Sequence, residues 1–533
     1  MTAGPTLGIT GYELPVFNVV VPAAVASRET ERRTVVIVGG GITGLTLAAD
    51  LSLRGVDAVL LDDDVTVGVR GASSRGMCYA QKTLEIMDGL GVYDRIRAKG
   101  VVWSVGRTLS GNDIVYEFDR AGDNGSAQAP FVNLQQFYLE WFLVDRIVEL
   151  GAVELRWGNK VVGIDPAAEH VDLEVETPKG SYRLRADWVI DATGANSPLR
   201  EMLALPIAAA HSVDRWCICD AHFTRQLPAE RWTWVDAPFN ADRAVWQHPM
   251  ADNVWRLDYQ LGPDADPSEA ADPAVAQARV AAHLGPDTPF ELVWVGPWQY
   301  RAQLVERMVH GRLILAGDAA HVMSPFGARG GNSGIHDADN LGWKLTLVTQ
   351  GRASPELIET YHQERHAAGA ENIRVTSQTS RFLAPESDFE GRLRAAAIGL
   401  AHDHPFGRVL VNTGRLSQPN AYPASPATGP RGGFCLPNVV LGDGRTLAAT
   451  LRSHGTGFLA FHLGEAPDVA AALPAHAAKL GDPSGEIVRL TGLSAGEVLL
   501  VRPDLYCAAV VPAADAAHAL AMFCGAPSLA EAA

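Results

Sequence analysis

The sequence predicts an α/β protein in which a parallel sheet with crossover helices is interrupted by an antiparallel sheet and followed by a smaller α/β tail. Continuous apolar, β-branched runs at Thr34–Val38, Asp187–Ala192 and Arg312–Ala316 read as strands buried on both faces. From about Val213 to Tyr300 the pattern changes to period-two alternation, rich in tryptophan, as one-sided antiparallel strands require. The chain has 533 residues, whereas single cores stop growing at roughly 250–300 residues, so several domains are expected.

The first strand runs into Gly39-Gly40-Gly41-Ile42-Thr43-Gly44, then a helix over Leu45–Arg54 that Gly55 ends, then a strand Ala58–Leu61 closing on Asp62. This βαβ unit carries the spacing of a dinucleotide site. Gly39 permits a tight turn, Gly41 lets a pyrophosphate reach the backbone, and Gly44 lets helix and strand pack closely. The turn residues Ile42 and Thr43 lead into the helix start, which offers N–H groups and a positive dipole end to phosphates. Asp62 is placed to accept hydrogen bonds from a ribose diol, although an acidic turn over Asp62-Asp63-Asp64 could also explain it.

The expected divisions are an N-terminal arm over 1–33, a nucleotide domain over 34–212, a β-rich insertion over 213–300, and the nucleotide domain's return with helices over 301–417. A Pro, Gly and Ser-rich linker over 418–433 and a tail over 434–533 complete the chain. The insertion is where a substrate pocket would sit.

The net charge of -17 argues against nucleic-acid or anionic-membrane partners. Six scattered cysteines without a CxxC pair point to a reducing cytoplasm, and Cys217 and Cys219 share a strand face, which favours core packing over metal binding. No metal site is expected. The apolar stretch Pro15–Val25 lacks a positive flank and carries two prolines, so it reads as a packed arm and not a signal peptide. No apolar run reaches membrane-spanning length.

A second motif follows the third buried strand: Ala316-Gly317-Asp318-Ala319-Ala320-His321, then Pro325-Phe326-Gly327-Ala328-Arg329-Gly330-Gly331-Asn332 before a helix. Asp318 can accept hydrogen bonds from the sugar-alcohol chain that FAD has and NAD lacks. The N–H groups of Gly330, Gly331 and Asn332 open the helix and would face an anionic flavin edge. His321 reads as an anchor of the helix start.

These residues resemble the para-hydroxybenzoate hydroxylase superfamily of single-component FAD aromatic hydroxylases. GDAAHVMSPFGARGGNSGIHDADNLGWKL is similar to its second flavin signature, and Asp191-Ala192-Thr193-Gly194-Ala195-Asn196-Ser197-Pro198-Leu199-Arg200 to the signature tied to both FAD and nicotinamide. Arg75 with Thr83-Leu84-Glu85 resembles a pyrophosphate-contacting block, and Gln136 with Leu139-Glu140 a cofactor-contacting one. FLAPESDFE, NTGRLSQP and LLVRPDLYCA resemble the phenol and phenylpropionate hydroxylase branch, which implies a thioredoxin-like tail; without a CxxC it would be structural. Asp63, Arg329 and the Asp191–Ala195 turn depart from common family residues, and Arg329 could alter flavin movement or attract an anionic substrate.

The resemblance implies a Rossmann-like FAD domain with an inserted substrate sheet, a homodimer, and hydroxylation of a phenolic small molecule with NADH or NADPH and O2 through a flavin hydroperoxide. Epoxidation, Baeyer–Villiger insertion, antibiotic modification, or a non-catalytic ligand-binding flavoprotein stay open. Arg256 resembles the arginine that meets flavin and substrate, Pro325 the proline near the reactive flavin edge, and His248, Tyr259 and Tyr300 are candidates to touch or deprotonate a phenol. Trp216, Trp232, Trp234, Trp246 and Trp255 are expected to fill the sheet core.

Overall fold

A computed structural model describes residues 6–9, 12–68, 77–122, 125–224, 227–262, 264–270, 272–285, 287–411, 417–453, 457–464, 476–479 and 485–524. The run read as the first strand forms β1 (Glu31–Val38), which leads through the glycine turn into α1 (Ile42–Leu53) and back through β2 (Ala58–Asp62), parallel to β1. Val35, Val36 and Ile37 are fully buried, as a strand covered on both faces requires. Val153–Trp157 extends the parallel sheet beyond β2, while Gly180–Asp191 and then Leu313–Leu315 extend it on the side of β1. The three sequence-distant apolar runs therefore lie side by side, with their C-terminal ends at one edge.

The tryptophan-rich region forms a second sheet in the order His321–Val322, Phe290–Val305, Ile207–Phe223, Val254–Gln260, Arg243–Pro249, Arg231–Ala237, Val105–Ser110, Asp113–Asp119. Two features differ from the sequence boundaries. Ile207–Phe223 crosses the 212/213 division and Phe290–Val305 runs past Tyr300. The hairpin Val105–Asp119 also joins this sheet, through parallel pairing of Val105–Ser110 with Arg231–Ala237. Pairing across such a separation leaves no local signal. One face of the sheet packs on the helix Pro273–Leu284 through Cys217, Cys219, Trp255, Leu257 and Tyr259. That helix is started by Asp272, whose carboxylate accepts from the Ala274 N–H at 2.8 Å. The other face turns toward the flavin-signature loop.

The helix α2 (Gly330–Thr349) and the long α3 (Glu356–Leu383) cover the parallel sheet and carry the tail. Trp343, Leu347 and Leu357 pack against Phe458, Ala460, Leu500 and Ala509 of the tail. Its strands run His476–Lys479, Leu459–His462, Glu497–Val501, Cys507–Pro512, with the first pair parallel and the rest antiparallel, consistent with a thioredoxin-like layout. A buried ion network fixes the junction. The Arg502 guanidinium meets Glu364 at 2.6 Å and Asp504 at 2.6 Å, and the Lys344 ammonium meets Glu364 at 2.7 Å. Burial opposes charge on Glu364, but Arg502 and Lys344 outweigh it and hold the carboxyl well below its usual range.

The stretch expected to be a linker is packed as well. Tyr422 is buried and accepts from Arg365 at 2.7 Å, and the Ser425 hydroxyl donates to Glu364 at 2.5 Å. At the other end of the chain, the N-terminal arm packs as its apolar composition suggests, with Phe17 stacked on Trp157 at 4.5 Å between centroids. Among the described residues no helix is long and apolar enough to cross a membrane.

Candidate flavin site

Each glycine of the first motif meets the constraint its position implies. Gly39 has φ 110°, and a Cβ there would lie 2.5 Å from the Ala192 carbonyl oxygen, so the turn closes directly on the Asp191–Asn196 segment. A Cβ on Gly44 would stand 2.0 Å from the Gly39 carbonyl oxygen, whereas one on Gly41 would meet nothing within 4 Å. Tight packing at the first and third glycines and open space at the second is the geometry a pyrophosphate needs. Ile42 and Thr43 begin α1 beside that space.

Thr43 joins the two distant motifs. A Cβ on Gly317 would lie 2.4 Å from its hydroxyl oxygen, and one on Gly334 would lie 2.3 Å from it. The turn after β1, the Gly317 turn and the first part of α2 thus pack into one cradle. Asp318 is exposed on an otherwise buried turn, where it can reach a ligand. Gly330 and Gly331 open α2, and a Cβ on either would meet nothing within 4 Å, so the start of this helix borders open space. Glycines that leave room at both ends of the cradle fit a flavin dinucleotide.

The residues behind the cradle are held by buried polar bonds. Asp337 accepts from the Gly317 N–H at 2.9 Å, from His321 at 2.7 Å and from the Arg365 guanidinium at 2.6 Å. Burial would raise its pKa, but His321 and Arg365 hold the carboxyl down to about 2. His321, expected to anchor the helix start, instead bonds two turns into α2 at Asp337. The Asn332 carboxamide accepts from the Ala80 N–H at 3.0 Å and donates to the Cys78 carbonyl at 2.8 Å, tying the flavin loop to a neighbouring strand. Arg329 is buried and donates to Asn372 at 2.7 Å, so that departure braces the loop against α3.

Other expected cofactor residues hold the turns around the cradle. Asp191 is fully buried: one oxygen accepts from the Thr193 hydroxyl at 2.6 Å and the other from Ser197. It shapes the turn that contains Gly194 (φ 89°), whose Cβ position is open. Arg200 joins this turn to the second motif by donating to the carbonyls of Ala319 and Ala195, each at 2.8 Å. Gln136 donates to Glu140 at 2.7 Å, and Glu140 accepts from the Gly68 N–H at 3.1 Å. Burial pushes the Glu140 carboxyl up to about 7. The Asp62 carboxylate accepts from the Gly40 N–H and, at 2.8 Å, from the Asp64 N–H. Burial pushes it up to about 6. Arg75 lies outside the described residues.

On the sheet, alternation sorts the substrate candidates by face. Arg256 and His248 are cross-strand partners on the face toward the flavin loop, and Arg256 donates to Asp258 at 2.8 Å. His248 is buried, and neither ring nitrogen is bonded among the described residues. Burial, with Arg231 and Arg256 adding to it, pushes the imidazole well below its usual range. Tyr300 joins Trp216, Trp246 and Phe326 in an aromatic wall, with Trp246 at 4.8 Å and Tyr300 at 5.3 Å from the Phe326 ring. Phe326 is the neighbour of Pro325, so this wall lies against the flavin loop. Tyr259 belongs elsewhere: it faces the helix Pro273–Leu284, where its hydroxyl meets His283 at 2.9 Å. Tyr259 thus stands one strand position out of phase with Arg256. Trp234 and Trp255 fill that outer core, with Trp232 packed against it, while Trp216 and Trp246 line the inner face.

Residues 32–376 match the profile of the family described as FAD binding domain. The chain belongs to this FAD-binding family. The 3-(3-hydroxy-phenyl)propionate/3-hydroxycinnamic acid hydroxylase 2 of Burkholderia vietnamiensis is 28% identical over 440 residues, covering 78% of this chain and 76% of that protein. The 12-dehydrotetracycline 5-monooxygenase/anhydrotetracycline 6-monooxygenase of Streptomyces rimosus is 30% identical over 388 residues, covering 71% and 75%. Among solved structures, the flavin-dependent monooxygenase PieE in complex with FAD and substrate superposes with a TM-score of 0.78 at 23% identity, over 93% of this chain and 99% of that one. The OxyS anhydrotetracycline hydroxylase superposes at 0.71 with 25% identity, over 93% and 100%. This FAD-binding protein is a flavin-dependent monooxygenase, with FAD as cofactor.

Proposed function

We propose that the protein hydroxylates an aromatic, phenolic small molecule with O2 and NADH or NADPH. The observation that carries this reading is the facing of two surfaces: an FAD cradle open at Gly41, Gly330 and Gly331, and a sheet face whose aromatic wall rests on the flavin loop. Bound FAD supplies the activation of O2 that closed-shell organic molecules need.

The chain's own residues supply the rest. Trp216, Trp246, Tyr300 and Phe326, all nearly fully buried, exclude water and give an aromatic ring an apolar surface. Gly330 and Gly331 begin α2 beside that open space, where the free N–H groups and positive end of a helix favour negative charge. His248 stays neutral at neutral pH and orients a substrate hydroxyl through its unbonded ring nitrogens. The relatives act on hydroxyphenylpropionate and anhydrotetracycline, which share a phenolic ring, and this supports the substrate class. A homodimer is supported by the exposed apolar side chains Phe389, Leu393, Phe406, Val409 and Leu410. Six cysteines without a disulfide support a reducing, cytoplasmic setting.

The test is NAD(P)H oxidation by the FAD-loaded protein with a panel of phenols under 18O2. Substrate-stimulated oxidation with one labelled oxygen in the product is expected. Reduction of the flavin with release of peroxide alone for every phenol in the panel would remove the reading.

A further inference from the structure

Register sets a polar row across the inner face of the second sheet. Trp232 pairs with Gln247, so Arg231 lies level with His248, which pairs with Arg256, which pairs with Asp220. In this row Arg256 is neutralised by its bond to Asp258. Arg231 is not. It is 6% exposed, has no ion pair among the described residues, and its Nε has no hydrogen-bond partner. Its guanidinium lies 4.9 Å from the Trp246 ring centroid, and the Trp246 indole N–H is also unbonded. With both His248 ring nitrogens, four buried polar atoms on three side chains converge unsatisfied at one place.

Buried polar atoms are normally bonded, and a buried cation is normally paired. Four exceptions together, beside an aromatic wall and the flavin loop, mark a place where a ligand completes the bonding. Two of the groups are obligate donors and one of these is a cation, so the complementary ligand atom is an anionic oxygen.

We propose that Arg231, with the Trp246 indole N–H and His248, binds an acidic oxygen of the aromatic substrate, either a ring carboxylate or a phenolate. This rests on the aromatic hydroxylase reading and narrows it to substrates that are anionic at one end. The cation holds the anionic group, the indole N–H fixes its direction, and the neutral imidazole bonds an adjacent hydroxyl. Sequence reading passed over Arg231 because RWTWVD reads as sheet core. The available signal was parity: Arg231, Thr233 and Val235 alternate with Trp232 and Trp234 and so share the inner face.

The test uses FAD-loaded protein and two matched pairs of probes read by the change in the flavin absorption spectrum: benzoate against benzamide, and 4-nitrophenolate against 4-nitroanisole. The wild type is expected to prefer the anionic member of at least one pair about tenfold or more. Preference in the first pair identifies a carboxylate, and in the second a phenolate. Arg231→Gln should abolish the preference, Arg231→Lys should restore part of it, and Trp246→Phe should reduce it while leaving neutral probes bound. Equal binding of anionic and neutral members by the wild type, or an unchanged preference in Arg231→Gln, would overturn the inference while leaving aromatic hydroxylation intact. If Arg231→Gln fails to load FAD, the wild-type ratio and Trp246→Phe decide the matter. Failure of the underlying reading shows separately, as absence of labelled product from every phenol.

Discussion

FAD binding should expel a proton from Asp62. In the free protein burial raises this carboxyl from 3.8 to about 6, partly offset by the Asp64 and Gly40 N–H groups. A ribose diol donates hydrogen bonds, which only the ionised carboxylate fully accepts, so bound FAD draws the pKa back toward its ordinary value. The sign follows: affinity is complete above about pH 7 and falls as pH drops through 6, because the proton must then be released on binding. If the bound-state pKa returns to 3.8 from about 6, the Kd for FAD rises about tenfold at pH 5. Titration calorimetry of the apoprotein at pH 5, 6, 7 and 8, in two buffers of different ionisation enthalpy, reads both the affinity and the proton release. Asp62→Asn should bind FAD with little pH dependence over this range. A flat wild-type profile, or the same slope in Asp62→Asn, would show that Asp62 does not meet the ribose.

Further outcomes follow from the same geometry. Gly44→Ala places a Cβ 2.0 Å from a backbone oxygen and should cost about 1–3 kcal/mol or more, seen as a lower Tm together with lost FAD. Gly41→Ala meets no protein atom within 4 Å, so its apoprotein Tm should be nearly unchanged while FAD affinity falls. Asp318→Ala should purify pale; a normally tight, full complement of FAD would remove the role given to that carboxylate. Glu140, pushed up to about 7 by burial, costs the folded apoprotein stability as pH rises above its ordinary value. Glu140→Gln should therefore stabilise the apoprotein by about 3 kcal/mol at pH 8 and by under about 1 kcal/mol at pH 5, measured by urea unfolding. Tyr259→Phe should leave turnover within about twofold of wild type and cost about 1 kcal/mol of stability, because its hydroxyl bonds His283 on the far face.

What the sequence disclosed depended on whether a requirement was local. The spacing of Gly39, Gly41 and Gly44 could be read because the turn itself demands it, through the positive φ of Gly39 and the close approach of Gly44 to the Gly39 carbonyl, although what Gly39 packs on, Ala192, is distant. The buried strands were likewise legible from their own composition. Membership of Val105–Ser110 in the second sheet was not, since its partner is Arg231–Ala237, far along the chain. Tyr259 and Arg256 were both substrate candidates, yet strand alternation puts them on opposite faces, and only the docked helix Pro273–Leu284 decides which face is outward. Arg231 was missed for a related reason. Its lack of a partner is a three-dimensional property that no residue type reveals.

The ion network at Glu364 makes α2 a shared beam. Its first residues border the open cradle, and its last turns carry Trp343 and Lys344 under the tail. A protein shortened at residue 417 would bare Trp343, Leu347 and Leu357 and strand Glu364 and Lys344 without Arg502. Such a truncation should aggregate rather than yield a minimal enzyme. Exchange of tails between relatives would succeed only when the counter-ions travel with them.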